Sequence, residues 1–444
     1  MNMVAPYILV LSLLLPPATA QKGSRGKPSP ANANKLISLK VTGTTRYTDK
    51  EILAASGLEI GQTAADGDFK EAVRRLGESG LFSDVAYSYS SSNAGTKLEM
   101  QLADSDKSKL VPAHFENFVW FTDDELRAAL QSRVPLFKQT LPISGNLPDH
   151  VSEALQAILT EKQFPGRVDY LREGEPSGSA INAIVYRVEE VSIRIRKVEF
   201  PGVSPDQTTL LTTAARRLTG AEYTRSALAA AAKFDLLPVY LQRGYLKAAF
   251  GPSDARVVPE PKPSDDAQTL ADIQVVAIVP VTPGKVYSTS TVDWKGNSAI
   301  ATAEVAPLVH LSPGQPADAV RLLRDIENVT RLYRSRGYMT VQVKPDAQFD
   351  DEKSTVHYDL NVVEGALYRM GELEIAGLDT QAKARLQLAW TLREGQPYDA
   401  GYPRKFLEDT RQLVPRGVQW TIGIHETLDA KDKTVDVEIR FKQQ

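Results

Sequence analysis

The sequence contains no cysteine. Disulfides, thiolate nucleophiles and cysteine metal sites are therefore excluded, and so is lipid attachment at a processed N-terminal cysteine. An excess of either charge is missing as well. Lys and Arg number 52 against 55 Asp and Glu, a net charge of −3, which gives no electrostatic reason to expect nucleic acid or anionic lipid as a partner. Histidine is scarce: His114, His150, His310, His357 and His425 stand far apart, with no metal-ligand spacing between them. No Gly-rich phosphate loop follows a strand pattern. No catalytic residue, metal, cofactor or small-molecule substrate is expected, and the chain reads as a non-enzyme. After residue 15 no apolar run approaches a membrane span.

The one long apolar run is at the start, "MNMVAPYILVLSLLLPPATAQKG". Val4 to Leu15 form a short apolar core, then come Pro16-Pro17 and Ala18-Thr19-Ala20. This reads as a secretory signal (residues 1–20) cut between Ala20 and Gln21. No Lys or Arg precedes the core, and a retained anchor is the alternative. Residues 21–35, "QKGSRGKPSPANANK", have the composition of a linker. A soluble mature chain beyond the inner membrane is expected.

The remainder repeats itself. "YTDKEIL" at Tyr47–Leu53 returns as "FTDDELR" at Phe121–Arg127, and each copy holds a T-x-x-E capping box, Thr48/Glu51 and Thr122/Glu125. Around the first copy lie a strand ending at Gly43, two helical stretches, the alternating "VAYSYS", a turn and the alternating "KLEMQL". The same β-α-α-β-β order fits four more blocks. Their first strands end at Asn117, Gly202, Gly296 and Gly377, where Asn is expected to tolerate the left-handed backbone that Gly accepts. Block three carries an alanine-rich second helix and a long excursion through "PEPKPSDD". In block four Leu322, Ile326, Val329 and Tyr333 make one helical stripe, and Val356, Tyr358, Leu360 and Val362 one strand face. Self-similarity of this length means an array of small domains. The expected limits are 36–104, 105–190, 191–283, 284–365 and 366–444. "QFDDEK", Gln348–Lys353, reads as a solvated hairpin turn, and Asn328-Val329-Thr330 as an accidental sequon inside a helix.

Tandem blocks of this order behind a signal segment resemble POTRA (polypeptide-transport-associated) domains. "VVEGALYRMGELEIAG", Val362–Gly377, is similar to the junction between consecutive POTRA repeats, and "LYRSRGYMTVQV", Leu332–Val343, to their helix-to-strand passage. The resemblance implies an α+β fold: five tandem POTRA-like domains, each a three-stranded mixed sheet with two helices on one face and the second strand at a sheet edge. Five in a row resemble the periplasmic arm of the central subunit of the outer-membrane barrel-assembly machinery. There the array precedes a membrane β-barrel. Here five blocks reach Phe441, so an arm without its pore is expected.

The resemblance implies a periplasmic scaffold or chaperone, peripheral to the outer membrane, with outer-membrane β-barrel proteins and unfolded barrel clients as partners. The alternative is an envelope structural or division-type protein using the domains as docking modules. Either role draws on sheet edges, whose free backbone groups pair with another chain almost regardless of sequence. An available edge needs an unbroken alternating strand. "YLKAAF" (Tyr245–Phe250) stops at Gly251-Pro252, "VQWTIGI" (Val418–Ile424) is weakened by Gly423, and "RVDYL" (Arg167–Leu171) is charged. "VAYSYS" (Val85–Ser90) and "YMTVQV" remain. The favoured peptide-binding edge is Tyr338, Met339, Thr340, Val341, Gln342 and Val343, with Met339, Val341 and Val343 facing the core.

Overall fold

The computed structural model describes residues 34–174, 180–259, 271–415 and 417–443. The signal segment with its cut between Ala20 and Gln21, nearly all of the linker, and Glu260–Asp266 of the block-three excursion lie outside the described residues. Among the described residues, no helix is long and apolar enough to cross a membrane. The fold is α+β and built of tandem POTRA-like units of three or four strands. The described residues form two compact units. One takes those up to Ala113 with Arg127–Ile158 and Leu171–Ile184; the other takes His114–Leu126, Leu159–Tyr170 and those from Val185 onward.

In the first unit, block one runs through a strand Leu36–Thr42, helices Asp49–Ser56 and Asp66–Glu78, and strands Phe82–Ser92 and Gly95–Asp104. The third strand is central, parallel to the first and antiparallel to the second. Alternation decides which side faces inward: Leu98, Met100 and Leu102 are buried, as are Phe69, Ala72 and Leu76 on the second helix. The first helix starts where the sequence places it. The Thr48 amide donates to Glu51 (2.8 Å) and the Glu51 amide to the Thr48 hydroxyl (3.3 Å).

In the second unit the Thr122/Glu125 box has the same geometry, at 2.9 and 3.3 Å. Block three pairs Val191–Glu199, Ala271–Ile278 and Asp254–Val257; block four pairs Ser288–Lys295, Thr355–Val363 and Gln342–Asp350; block five pairs Arg369–Ala376, Thr434–Gln443 and Trp420–Asp429. In each the third strand lies between the other two. The expected block-four stripe, Leu322, Ile326, Val329 and Tyr333 on the helix Ala319–Arg334, is buried in clusters with Val356, Tyr358, Leu360 and Val362. Each such side chain contributes about 2 kcal/mol by leaving water. Block two is divided between the two units; in the first, Leu110–Pro112 pairs with Thr140–Pro142.

Gly296 ends the first strand of block four at φ 81°, and a Cβ there would overlap the carbonyl oxygen of Val362 on the third strand. Gly43, Gly202 and Gly377 meet Leu102, Val281 and Phe441 in the same way. Asn117 does not follow the expectation. It is absent from the non-glycine residues at positive φ, and its buried side chain acts as a backbone substitute. Its Nδ2 donates to the Val188 carbonyl (2.9 Å) and its Oδ1 accepts from the Val188 amide (2.7 Å). The alanine-rich helix of block three is also not continuous. Arg225–Ala231 passes into a π-helical turn, Ala232–Leu236, before Leu237–Leu241. Pro238 has no N–H to give to a carbonyl four residues back, and the wider turn removes that demand.

Two glycine substitutions separate close approach from backbone conformation. Gly314 (φ 78°) has open space where a Cβ would stand. Gly314→Ala should cost about 1 kcal/mol from the left-handed conformation alone, and Gly296→Ala about 3 kcal/mol because overlap adds to it. Urea unfolding should show the larger midpoint loss for Gly296→Ala; equal losses would contradict the close approach.

Candidate functional site: the free edge of the second strand

A three-stranded sheet has two edges, and these sheets treat them differently. In block four the Gly314 amide donates to the Thr289 carbonyl (2.8 Å), the Thr289 amide to Gln315 (2.8 Å), and the Ala317 amide to Tyr287 (2.9 Å). This short turn covers the start of the first strand from outside. The same three bonds recur around Gly61 and Leu36, Gly220 and Ile195, and Gly395 and Met370, at 2.7–3.0 Å. In block two the strand Thr140–Pro142 pairs with Leu110–Pro112 and takes the place of the turn. The sequence signal for it is "IGQTA", "TGAEY", "PGQPA" and "EGQPY" at Ile60, Thr219, Pro313 and Glu394. Reading only for strand-ending glycines passes over it.

The second strand lies at the opposite edge. In block four, among the described residues, no segment pairs with the outer side of Gln342–Asp350. This strand begins four residues later than expected. The amides of Tyr338, Met339 and Val341 donate to the carbonyls of Tyr333 (3.1 Å), Gly337 (3.0 Å) and Tyr338 (3.3 Å), so they are committed to a turn. Met339 and Val341 are buried while Thr340 and Gln342 are exposed and Val343 is half-buried, as the alternation requires. Met339, however, belongs to the core of block five, with Tyr368, Met370 and Phe406. Of the six expected edge residues only Gln342 and Val343 lie in the edge strand, and Pro345, lacking an N–H, follows them.

The turn that displaces the strand is a joint. Arg336-Gly337-Tyr338 matches Arg243-Gly244-Tyr245 in block three. There Tyr245 donates to Tyr240 (3.1 Å) and Leu246 to Gly244 (2.9 Å), the same pattern. Each glycine carbonyl accepts from the first buried tyrosine of the next block, Tyr287 or Tyr368, at 2.8 Å. Leu246 packs on the core of block four as Met339 enters that of block five. The "QFDDEK" segment does turn the hairpin: Asp350 accepts from the amides of Glu352 (3.1 Å) and Lys353 (2.9 Å). Asp351 takes Lys247 of block three (2.6 Å) and the Tyr287 hydroxyl of its own block, which hold its carboxyl below the usual range.

The other edges also differ from expectation in part. Of the expected block-three strand Tyr245–Phe250 only Ala249–Phe250 is a strand; it stops at Gly251-Pro252 as expected and pairs with Val281–Thr282, while the sheet's edge strand is Asp254–Val257. Block five is not weakened at Gly423: Trp420–Asp429 runs unbroken through it, paired to Arg440 at that position. The histidines are not all isolated. The block-four sheet sets His357 beside Asp293 and Asp359, two of the three on one strand and the third on its neighbour, a grouping that linear spacing hides.

Residues 287–365 match the family model of the POTRA domain, described as a surface antigen variable number repeat. Block four thus matches the POTRA family over nearly its whole length. The chain is also similar to solved POTRA arrays. The crystal structure of POTRA domains 3–5 of Haemophilus influenzae BamA shares 16% identity over 57% of this chain and 96% of that one, with a TM-score of 0.42. The N-terminal domain of Omp85 from the cyanobacterium Thermosynechococcus elongatus shares 16% over 56% and 97%, with a TM-score of 0.23. CdiB from Escherichia coli shares 15% over 54% of this chain and 35% of its own, with a TM-score of 0.20.

The joint and the edge of block four can be told apart by substitution. Met339→Ala should lower the stability of block five by about 3 kcal/mol, as expected for a buried methionine. Thr340→Ala, exposed beside it, should change it by less than about 0.5 kcal/mol. Hydrogen exchange of the Thr434–Gln443 amides reads both. Equal effects would remove Met339 from that core.

Proposed function

We propose that this chain is a periplasmic scaffold of outer-membrane protein assembly, whose POTRA domains hold unfolded barrel strands, or partner β-barrel proteins, by adding them to the second-strand edge. One observation carries this reading: the first strand's edge is met from within by its own chain, and the second strand's outer side in block four is left unpaired. The POTRA match of block four and the BamA, Omp85 and CdiB similarities support it. The five domains are taken as 36–104, 105–190, 191–283, 284–365 and 366–444.

Backbone pairing tolerates many client sequences because no side chain is demanded of the guest. Each bond adds only about 1 kcal/mol net, so a single strand should be held weakly and released readily. The site proposed in block four is Gln342–Asp350, with Tyr338–Val341 as the joint that positions it. Successive residues of a strand send their N–H groups to opposite sides. Val343→Pro and Lys344→Pro therefore remove one ladder donor and one outward donor. The variant that loses the outward donor should keep its circular dichroism and lose crosslinking to an extended peptide derived from a β-barrel strand. If every folded variant crosslinks as the parent does, this edge is not the site.

Export belongs to the same reading. N-terminal sequencing of the protein recovered from an envelope fraction should begin at Gln21; a start at Met1 would identify the leading segment as an anchor.

A further inference from the structure

The face of the block-four sheet opposite its buried core carries a polar cluster. Thr291, Asp293 and Lys295 come from the first strand, Gln348 from the second, and His357 and Asp359 from the third. His357 Nε2 lies 3.3 Å from Asp359 Oδ1 and 3.7 Å from Asp293 Oδ2. One ligand atom from each of the three residues fits within a 4.8 Å span. Tetrahedral zinc with bonds of about 2.0–2.2 Å sets its ligand atoms about 3.3–3.5 Å apart, close to both separations.

We propose that His357, Asp359 and Asp293 bind one zinc-class divalent cation through Nε2 and two carboxylate oxygens, with a fourth position open to solvent.

The surroundings support each ligand separately. Thr291 Oγ1 is 2.6 Å from His357 Nδ1. With Nδ1–H donating to that hydroxyl, Nε2 presents its lone pair to the two carboxylates, the arrangement that metal-binding histidines use. Without an ion, Nε2–H donates to Asp359 Oδ1 instead (3.3 Å), and a cation bound there takes that proton's place. Asp359 is held in position: Lys295 Nζ (2.7 Å) and Gln348 Nε2 (2.9 Å) both take Oδ2, which leaves Oδ1 to the ion. Its side chain is only 5% exposed, while that of Asp293 is 66% exposed and closes the site from the solvent side. Two carboxylates outnumber the single Lys295 ammonium, so the site keeps a net negative charge. One imidazole and two carboxylates suit zinc or cobalt; calcium asks for six to eight oxygens.

The test uses the untagged full chain with metal alone. Calorimetry should show one equivalent of Zn²⁺ bound, and Co²⁺ should give the intense visible bands of a tetrahedral site. His357→Ala should abolish both. Asp293→Asn, on an exposed side chain that folding does not need, should weaken binding at least about tenfold, and Thr291→Val should do so by about tenfold through loss of the imidazole's orientation. His425→Ala, in block five, should bind as the parent does. Failure to bind one equivalent would overturn the proposal and leave His357 hydrogen-bonded to Asp359 alone. Retention of full affinity by His357→Ala or Asp293→Asn would overturn it equally.

Discussion

Three backbone hydrogen bonds to the beginning of a first strand shape what the rest of each block can do. A sheet of three strands exposes backbone groups on both sides, and both invite other chains. Here the chain turns back on itself at Gly61, Gly220, Gly314 and Gly395 and meets the first strand from outside. Block two reaches the same result with a short strand. Among the described residues of block four, no segment pairs with the outer side of the second strand, and that is the side on which the proposed guest would add.

Edge and joint are continuous in sequence. The turn Gly337–Val341 spends its amides locally, sends Met339 into the core of block five and then releases the chain into the edge strand at Gln342. Block three makes the same turn at Gly244, and Lys247 adds an ion pair to Asp351 across the boundary with block four. Material added to the block-four edge would therefore sit directly after the residues that fix that block to the next. A peptide bound there has a short mechanical route to block five, through the burial of one side chain and one Tyr368–Gly337 hydrogen bond.

The sequence carried the fold well wherever a strong period met a clean boundary. Leu322 to Tyr333 form the stripe expected, and Gly296 and its equivalents end their strands for the expected reason, with the added one that a carbonyl of the third strand, or for Gly202 that of Val281 just after it, approaches each too closely for a Cβ. Asn117 filled its slot by another means: a primary amide can replace a peptide group, and composition alone does not tell that from a left-handed turn. The edge was misplaced by four residues because Met339, Thr340 and Val341 alternate in burial while their backbone is still turning, and period two reports burial, not pairing. The turns at Gly61, Gly220, Gly314 and Gly395 carry a short repeated motif that reading for strand-ending glycines passes over, whereas the His357 cluster joins two strands far apart in the chain, which local pattern reading does not connect.

Hydrogen exchange at single-residue resolution on Gln342–Asp350 tests the central claim most directly. In the free protein the amides along this strand should alternate, slow where they bond to Thr355–Val363 and fast where they point outward, with Pro345 silent. Saturating the chain with an extended β-barrel peptide should slow the fast set and leave the Ser288–Lys295 amides unchanged. Slowing at Ser288–Lys295 instead, or no change in the outward set of Gln342–Asp350, would contradict it.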